Sequence, residues 1–127
     1  MRVLIADDQR AVGQSIAALV EQCGHEVAAV VGSGLEAIQA YTRLEPDVVL
    51  MDYNMPRLNG ATACKMILSK NPDARIILVT ALLQTELIAD AGAVAILPKP
   101  VDLDRLYSAL YDAGTRPPAT GGEPAAS

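Results

Sequence analysis

Residues 46–52 read Pro-Asp-Val-Val-Leu-Met-Asp, in which four apolar residues are followed directly by a carboxylate. A continuous apolar run of this length, with β-branched valines and polar residues on either side, is typical of a strand buried on both faces. Such strands belong to parallel sheets that helices cover on both sides. The run at residues 48–51 therefore predicts a buried strand of an α/β protein, with Asp52 at its end.

Four further apolar runs of strand length flank this one and alternate with stretches of helical period. The predicted strands are 3–6, 27–31, 48–51, 76–79 and 93–97. Between them apolar residues recur at the spacing of an amphipathic helix, as at Val12, Ile16 and Leu19. Five strands and five helices in strict alternation imply right-handed βαβ crossovers and one parallel sheet, which is a doubly wound α/β fold.

Several residues mark the ends of the predicted helices. Gly24 ends the first helix, and a capping box that starts at Ser33 opens the second. The last helix is capped by Asp102 and ended by Gly114. A fourth helix at residues 85–91 has poor capping residues and little amphipathic pattern, so we expect it to be short or mobile.

The composition limits the class of protein. A chain of 127 residues fits one domain, and 51% hydrophobic residues without Phe or Trp predict an aliphatic core. The net charge of −5, without a Lys/Arg cluster, argues against nucleic acid and anionic membranes as partners. No segment resembles a signal peptide or a membrane span, so we expect a cytoplasmic protein. We assign residues 1–114 to the domain and expect residues 115–127 to be a disordered tail or a truncated linker.

Polar side chains follow four of the five predicted strands. Asp7 and Asp8 follow the first, Asp52 the third, Thr80 the fourth, and Lys99 comes shortly after the fifth. Because ligands in an open parallel sheet bind outside the carboxyl ends of the strands, we expect these side chains at one rim. Each residue alone is a weak signal, so the prediction of a site depends on their joint occurrence.

Three carboxylates at one rim would raise one another's pKa unless a cation lies among them. Mg²⁺ suits such a site because it takes oxygen ligands, keeps several waters and binds substrate phosphates. We assign direct ligation to Asp8 and Asp52, and ligation through water to Asp7. A carboxylate is also a nucleophile toward phosphorus, so Asp52 would form an aspartyl phosphate. Lys99 would hold the phosphoryl oxygens, and Thr80 would donate a hydrogen bond to one of them.

Four motifs resemble those of the receiver domains of bacterial two-component response regulators, of the single-domain, CheY-like kind. They are Ile5-Ala6-Asp7-Asp8, Met51-Asp52-Tyr53-Asn54-Met55-Pro56-Arg57-Leu58-Asn59-Gly60, Val79-Thr80-Ala81 and Lys99-Pro100. The resemblance extends from Arg2 to about Tyr111, which is nearly the whole chain. It implies a flavodoxin-like three-layer sandwich with the strand order 2-1-3-4-5.

The resemblance also implies a role for each site residue. The implied roles are Asp52 as phosphoacceptor, Asp7 and Asp8 as the acid pair that binds Mg²⁺, Asn54 as a metal ligand through its backbone carbonyl, and Thr80 and Lys99 as switch and phosphate-binding residues. The family usually has a cis peptide after the lysine, so we expect Lys99–Pro100 to be cis.

By the same resemblance, the phosphoryl donor is a histidine kinase or a histidine phosphotransferase. The protein would signal through contacts with a downstream protein, as a monomer or weak homodimer, with no enzymatic activity beyond autocatalytic phosphorylation and autodephosphorylation. Two alternatives are a phosphoryl relay or sink without conformational output, and a binding module that never takes phosphate. A phosphohydrolase of the haloacid-dehalogenase type is disfavoured, because Asn54 stands where such enzymes need a second acid.

The chain departs from the family pattern near its fifth strand. Ile96 stands where an aromatic residue is usual, so an inward–outward tyrosine switch cannot operate. The spacing from Thr80 to Lys99 is shorter than usual by about three residues, close to one helical turn. Pro98 removes a backbone donor from the strand, which an edge strand tolerates.

Overall fold

The computed structural model describes residues 1–81 and 91–115 of the chain. These residues form a five-stranded parallel sheet in the order β2-β1-β3-β4-β5. The strands are β1 (Arg2–Ala6), β2 (Glu26–Val31), β3 (Val48–Asp52), β4 (Ile76–Thr80) and β5 (Ala95–Pro98). The order confirms the doubly wound fold predicted from the alternating elements and the flavodoxin-like strand order implied by the family resemblance.

Helices cover both faces of this sheet. The described helices are α1 (Arg10–Gln22), α2 (Gly34–Leu44), α3 (Gly60–Lys70) and α4 (Leu103–Thr115). α1 and α4 pack on one face, and α2 and α3 pack on the other. The helix predicted at residues 85–91 lies outside the described residues, except for Ala91. Within the described parts of the chain, no helix has both the length and the apolar character to cross a membrane.

The strands send alternate side chains to the two faces. In β3, Val48 and Leu50 pack with α1 and α4, whereas Val49 and Met51 pack with α2 and α3. Every residue of β3 and β4 is buried, including the polar residue at the carboxyl end of each strand. The two continuous apolar runs therefore form the centre of the sheet, and they hold their terminal polar groups away from water.

Local hydrogen bonds set the helix ends. Ser33 Oγ accepts a hydrogen bond from the Glu36 backbone N–H at 3.1 Å, as the predicted capping box requires. The Glu36 carboxylate, however, accepts from the Gly32 N–H at 2.8 Å. α4 continues one residue beyond its predicted end at Gly114. The hydroxyl of that last residue, Thr115, donates a hydrogen bond to the Tyr111 carbonyl at 3.1 Å. The rest of the predicted tail, residues 116–127, lies outside the described residues.

Candidate functional site

The carboxyl edge of the sheet collects the polar residues that follow the strands. Asp7 directly follows β1, Asp52 and Thr80 end β3 and β4, and Lys99 directly follows β5. The side chains of Asp7, Asp52 and Thr80 are buried, whereas Asp8 is exposed. The structure thus places all five residues where the strand ends predicted them.

The Lys99 ammonium joins two of these carboxylates. Its Nζ lies 3.0 Å from Asp7 Oδ2 and 3.2 Å from Asp52 Oδ1. The lysine backbone N–H donates to the Thr80 carbonyl at 3.0 Å. The peptide bond between Lys99 and Pro100 is cis, as predicted. One cation therefore connects the ends of β1, β3 and β5.

Backbone N–H groups also hold the two buried carboxylates. The N–H of Gln9 donates to Asp7 Oδ1 at 2.8 Å, and the N–H of Asn54 donates to Asp52 Oδ1 at 3.3 Å. In both pairs the aspartate accepts from the residue two positions later, which is a local turn pattern of aspartate. The sequence reasoning missed Gln9, although an aspartate just before a helix start is a signal that could have found it.

Burial is the largest influence on the Asp52 carboxyl. It raises the pKa of Asp52, and the Asp7 charge raises it further, while Lys99 and the Asn54 N–H act in the opposite direction. Burial acts to lower the pKa of Lys99, but the hydrogen bond to Asp7 and the attraction of Asp52 outweigh it and raise that pKa. Lys99 therefore stays charged, and its one ammonium group lies among three carboxyl groups, those of Asp7, Asp8 and Asp52.

The acidic side chains are close enough to share one metal ion. Asp7, Asp8 and Asp52 each present a carboxylate oxygen, and these oxygens lie within 4.8 Å of one another. Asn54, the predicted carbonyl ligand, is exposed two residues beyond Asp52. Oxygen donors on a partly solvated, negatively charged edge suit Mg²⁺, which uses few carboxylates and keeps several waters. The residues present therefore fit a magnesium ion.

The loop from β3 to α3 follows Asp52 and is held at both ends. The Tyr53 N–H donates to the Val79 carbonyl at 2.9 Å, and the Tyr53 carbonyl accepts from the Gly60 N–H at 2.8 Å. Within the loop Arg57 has a φ of 71°, a conformation that non-glycine residues rarely adopt. The sequence reasoning assigned no role to Gly60, because its contacts come from the folded chain and not from a local pattern.

The two residues of β5 that differ from the family pattern, Ile96 and Pro98, lie in the strand as predicted. Ile96 is half-buried and packs against the core beneath α2 and α3, so an aliphatic side chain takes the place of the usual aromatic residue. Pro98 lies opposite Thr80 in register, on a strand at the edge of the sheet. An edge strand tolerates the missing backbone donor, as expected.

Comparison with known proteins agrees with this geometry. The family model of the response regulator receiver domain matches residues 3–111. The chain is 37% identical over 112 residues to the chemotaxis protein CheY of Thermotoga maritima, covering 86% of this chain and 93% of that protein. It is also 37% identical over 118 residues to the transcriptional regulatory protein PdtaR of Mycobacterium tuberculosis, covering 91% of this chain but 57% of that longer protein.

A solved structure supports the same relationship. A chain of the CheX–CheY–BeF3–Mg²⁺ complex from Borrelia burgdorferi superposes with a TM-score of 0.86 at 25% identity, covering 91% of this chain and 90% of that one. The chain therefore belongs to the response regulator receiver domains of two-component systems, whose CheY-like members are signalling proteins and not classical enzymes.

Proposed function

We propose that Asp52 accepts a phosphoryl group from the phosphohistidine of a histidine kinase or histidine phosphotransferase, in a Mg²⁺-dependent reaction, and that the protein then signals through protein contacts. One observation carries the proposal: the buried Asp52 carboxylate ends β3 beside both Asp7 and the Lys99 ammonium. Phosphoryl transfer depends mainly on positioning and charge neutralisation, and these groups supply both.

In the proposed reaction, an Asp52 carboxylate oxygen attacks the phosphorus atom. The new P–O bond forms as the P–N bond to the donor histidine breaks, and the electron pair of the broken bond stays on the imidazole nitrogen. Lys99 can transfer its contact to a phosphoryl oxygen, because its Nζ already lies 3.2 Å from the attacking carboxylate. The Thr80 hydroxyl would donate a hydrogen bond to a second phosphoryl oxygen.

The metal ligands belong to the same proposal. Asp8 and Asp52 would bind Mg²⁺ directly, Asp7 through a water molecule, and Asn54 through its backbone carbonyl. The bound ion would neutralise charge on the phosphoryl oxygens. The relative from Borrelia burgdorferi supports this choice, because its structure contains Mg²⁺ and BeF3.

Ile96 favours a second candidate function. The family's usual signal involves an aromatic side chain at this position, and here a half-buried isoleucine packs into the core instead. A phosphoryl relay or sink needs no such conformational output. Rapid return of the phosphoryl group from Asp52 to a partner histidine, faster than hydrolysis, would favour the relay over the stand-alone signalling protein.

Mass spectrometry after incubation with acetyl phosphate and Mg²⁺ tests the chemistry. We expect a single phosphoryl adduct on the wild-type chain, and no adduct with Asp52→Asn or with excess EDTA. Asp47→Asn is the matched control, because Asp47 lies just before the same strand and is exposed. An adduct that persists in Asp52→Asn would contradict the assignment. If only a phosphohistidine protein produces the adduct, the donor is restricted to proteins.

A further inference from the structure

Two glycines, Gly34 and Gly60, begin neighbouring helices and lie in close contact with the chain that leads from β3 to α3. A Cβ atom on Gly34 would lie 2.8 Å from the Leu58 carbonyl oxygen. A Cβ atom on Gly60 would overlap the Asp52 carbonyl oxygen and lie 2.9 Å from Tyr53 Cα. Neither glycine has a positive φ, so the backbone conformation does not require glycine at these positions. What both positions require is space.

The contact at Gly60 falls on the strand that carries the proposed phosphoacceptor. The Gly60 N–H donates to the Tyr53 carbonyl at 2.8 Å, and the Tyr53 N–H donates to the Val79 carbonyl at 2.9 Å. The backbone just after Asp52 is therefore held between β4 and the first turn of α3. The next N–H, that of Asn54, reaches Asp52 Oδ1 at 3.3 Å. Two of the proposed ligands, Asp52 at the end of β3 and Asn54 just beyond it, thus lie within two residues of Tyr53.

We propose that Gly60 is a positioning residue for metal binding, because its missing side chain lets α3 hold the Asp52 carboxylate and the Asn54 peptide in place. The inference rests on the proposed function, since it assumes a Mg²⁺ site at Asp52. A methyl group at Gly60 would meet backbone atoms, which cannot turn aside as a flexible side chain can. The strand and the helix would have to separate. Mg²⁺ demands near-ideal octahedral geometry, so a small displacement of two ligands lowers affinity.

Calorimetric titration with MgCl2 tests the inference on the whole chain, with Gly34→Ala as the matched control for Gly60→Ala. Both changes add one methyl group at the start of a helix, facing the same loop. The methyl group added at Gly34 would contact Leu58, and the one added at Gly60 would contact the backbone of Asp52. We expect Gly60→Ala to lower Mg²⁺ affinity about 10-fold to 100-fold per folded molecule, the range seen when groups that orient metal ligands are lost. We expect Gly34→Ala to bind Mg²⁺ nearly as the wild type does.

The outcomes separate this inference from the proposed function. A wild-type chain that binds no Mg²⁺ contradicts the metal site itself. A wild-type chain that binds Mg²⁺ while Gly60→Ala binds it equally well overturns only the positioning role. Equal losses in Gly60→Ala and Gly34→Ala also overturn it, because the effect would then be general strain. Thermal unfolding of each variant gives the folded fraction used in the comparison.

The wild-type chain provides a second test if Gly60→Ala does not fold. If the Gly60 contact favours Mg²⁺ binding, then Mg²⁺ must stabilise that contact by the same free energy. Saturating Mg²⁺ should therefore slow hydrogen exchange of the Gly60 amide, measured by NMR. The Ala37 amide, which donates to the Ser33 carbonyl in α2 at 3.0 Å, serves as the reference. A Gly60 exchange rate that changes no more than that of Ala37 overturns the inference.

Discussion

An aspartate lies at each end of β3, and the two have opposite surroundings. Asp47, just before the strand, is exposed, and its carboxylate accepts a hydrogen bond from the backbone N–H of Arg2 at 2.7 Å. Asp52, at the carboxyl end, is 3% exposed and lies beside Asp7 and Lys99. Water solvates the first charge at little cost, whereas the second keeps its charge only with help from neighbouring groups. The same residue type therefore supports structure at one edge and would supply the proposed chemistry at the other.

The cations at the two edges differ in the same way. Arg2 Nη1 donates to the Leu44 carbonyl at 2.7 Å and to the Glu45 carbonyl at 3.4 Å, where α2 ends. It therefore satisfies carbonyl groups that a helix end leaves unpaired. Lys99 instead lies between two acids, and one of them, Asp7, is 92 positions away in the chain. At the amino edge of the sheet the cation satisfies exposed or partly buried groups, while at the carboxyl edge it lies against two buried charges.

The largest expected effect comes from removing the cation of the carboxyl edge. Lys99→Met leaves Asp7 and Asp52 buried without their ammonium partner, so we expect a loss of about 3 kcal/mol in unfolding free energy at neutral pH without Mg²⁺, since Lys99 is itself partly exposed. Arg2→Met, the matched change at the amino edge, should cost about 1 kcal/mol, because it removes hydrogen bonds to the two carbonyls at the end of α2. Urea unfolding in EDTA measures both. Equal losses would contradict the difference between the edges.

The next effect is stabilisation by the metal ion. At a Mg²⁺ concentration of about ten times its dissociation constant, binding to the folded chain alone should add about 1.4 kcal/mol to the unfolding free energy. We expect Asp8→Asn to lose most of this gain, since Asp8 is a proposed direct ligand on the exposed side of the site. Asp47→Asn should retain it. Thermal unfolding with and without Mg²⁺ measures the gain, and equal gains in both variants would place the ion elsewhere.

Neutralising the two aspartates of β3 should change stability in opposite directions. Without Mg²⁺, Asp52→Asn removes a charge that burial and Asp7 both disfavour, so we expect a gain of about 1 kcal/mol, as is common where function keeps a site destabilised. Asp47→Asn weakens the hydrogen bond from the Arg2 N–H, so we expect a small loss. Urea unfolding of both variants at neutral pH decides the matter. A loss in Asp52→Asn would mean that Lys99 more than offsets the burial of the carboxylate.

Sequence patterns predicted where the site residues lie along the strands, but they did not predict which of their atoms are in contact. Continuous apolar runs report burial, so the strands and the acids at their ends could be placed from the sequence alone. The order of the strands came from the family resemblance, since alternation of helices and strands does not determine it. The ion pair from Lys99 to Asp7 and the contact of Gly60 with Asp52 join distant parts of the chain. No local pattern encodes which atoms meet across such a distance, so these contacts needed the structure.

The smallest expected effect is a pH response at the amino edge. His25 precedes β2, and its Nδ1 lies 3.1 Å from the N-terminal amine. Burial, and then the charge of that amine, lower the pKa of His25 below its ordinary value of 6.5. The unfolded chain therefore binds more protons than the folded chain as pH falls through 6.5, and stability decreases over that range.

His25→Gln removes this titration, so its unfolding free energy should fall less than that of the wild type between about pH 7.5 and about pH 5.5. The chain has a single histidine, so NMR can follow its imidazole without overlap from another. An imidazole that titrates at or above 6.5 would contradict the prediction. The difference between wild type and His25→Gln should be the same in an Asp52→Asn background, because distant sites contribute additively. If Asp52→Asn alters the effect of His25→Gln on the unfolding free energy, the two edges of the sheet are energetically coupled and do not act independently.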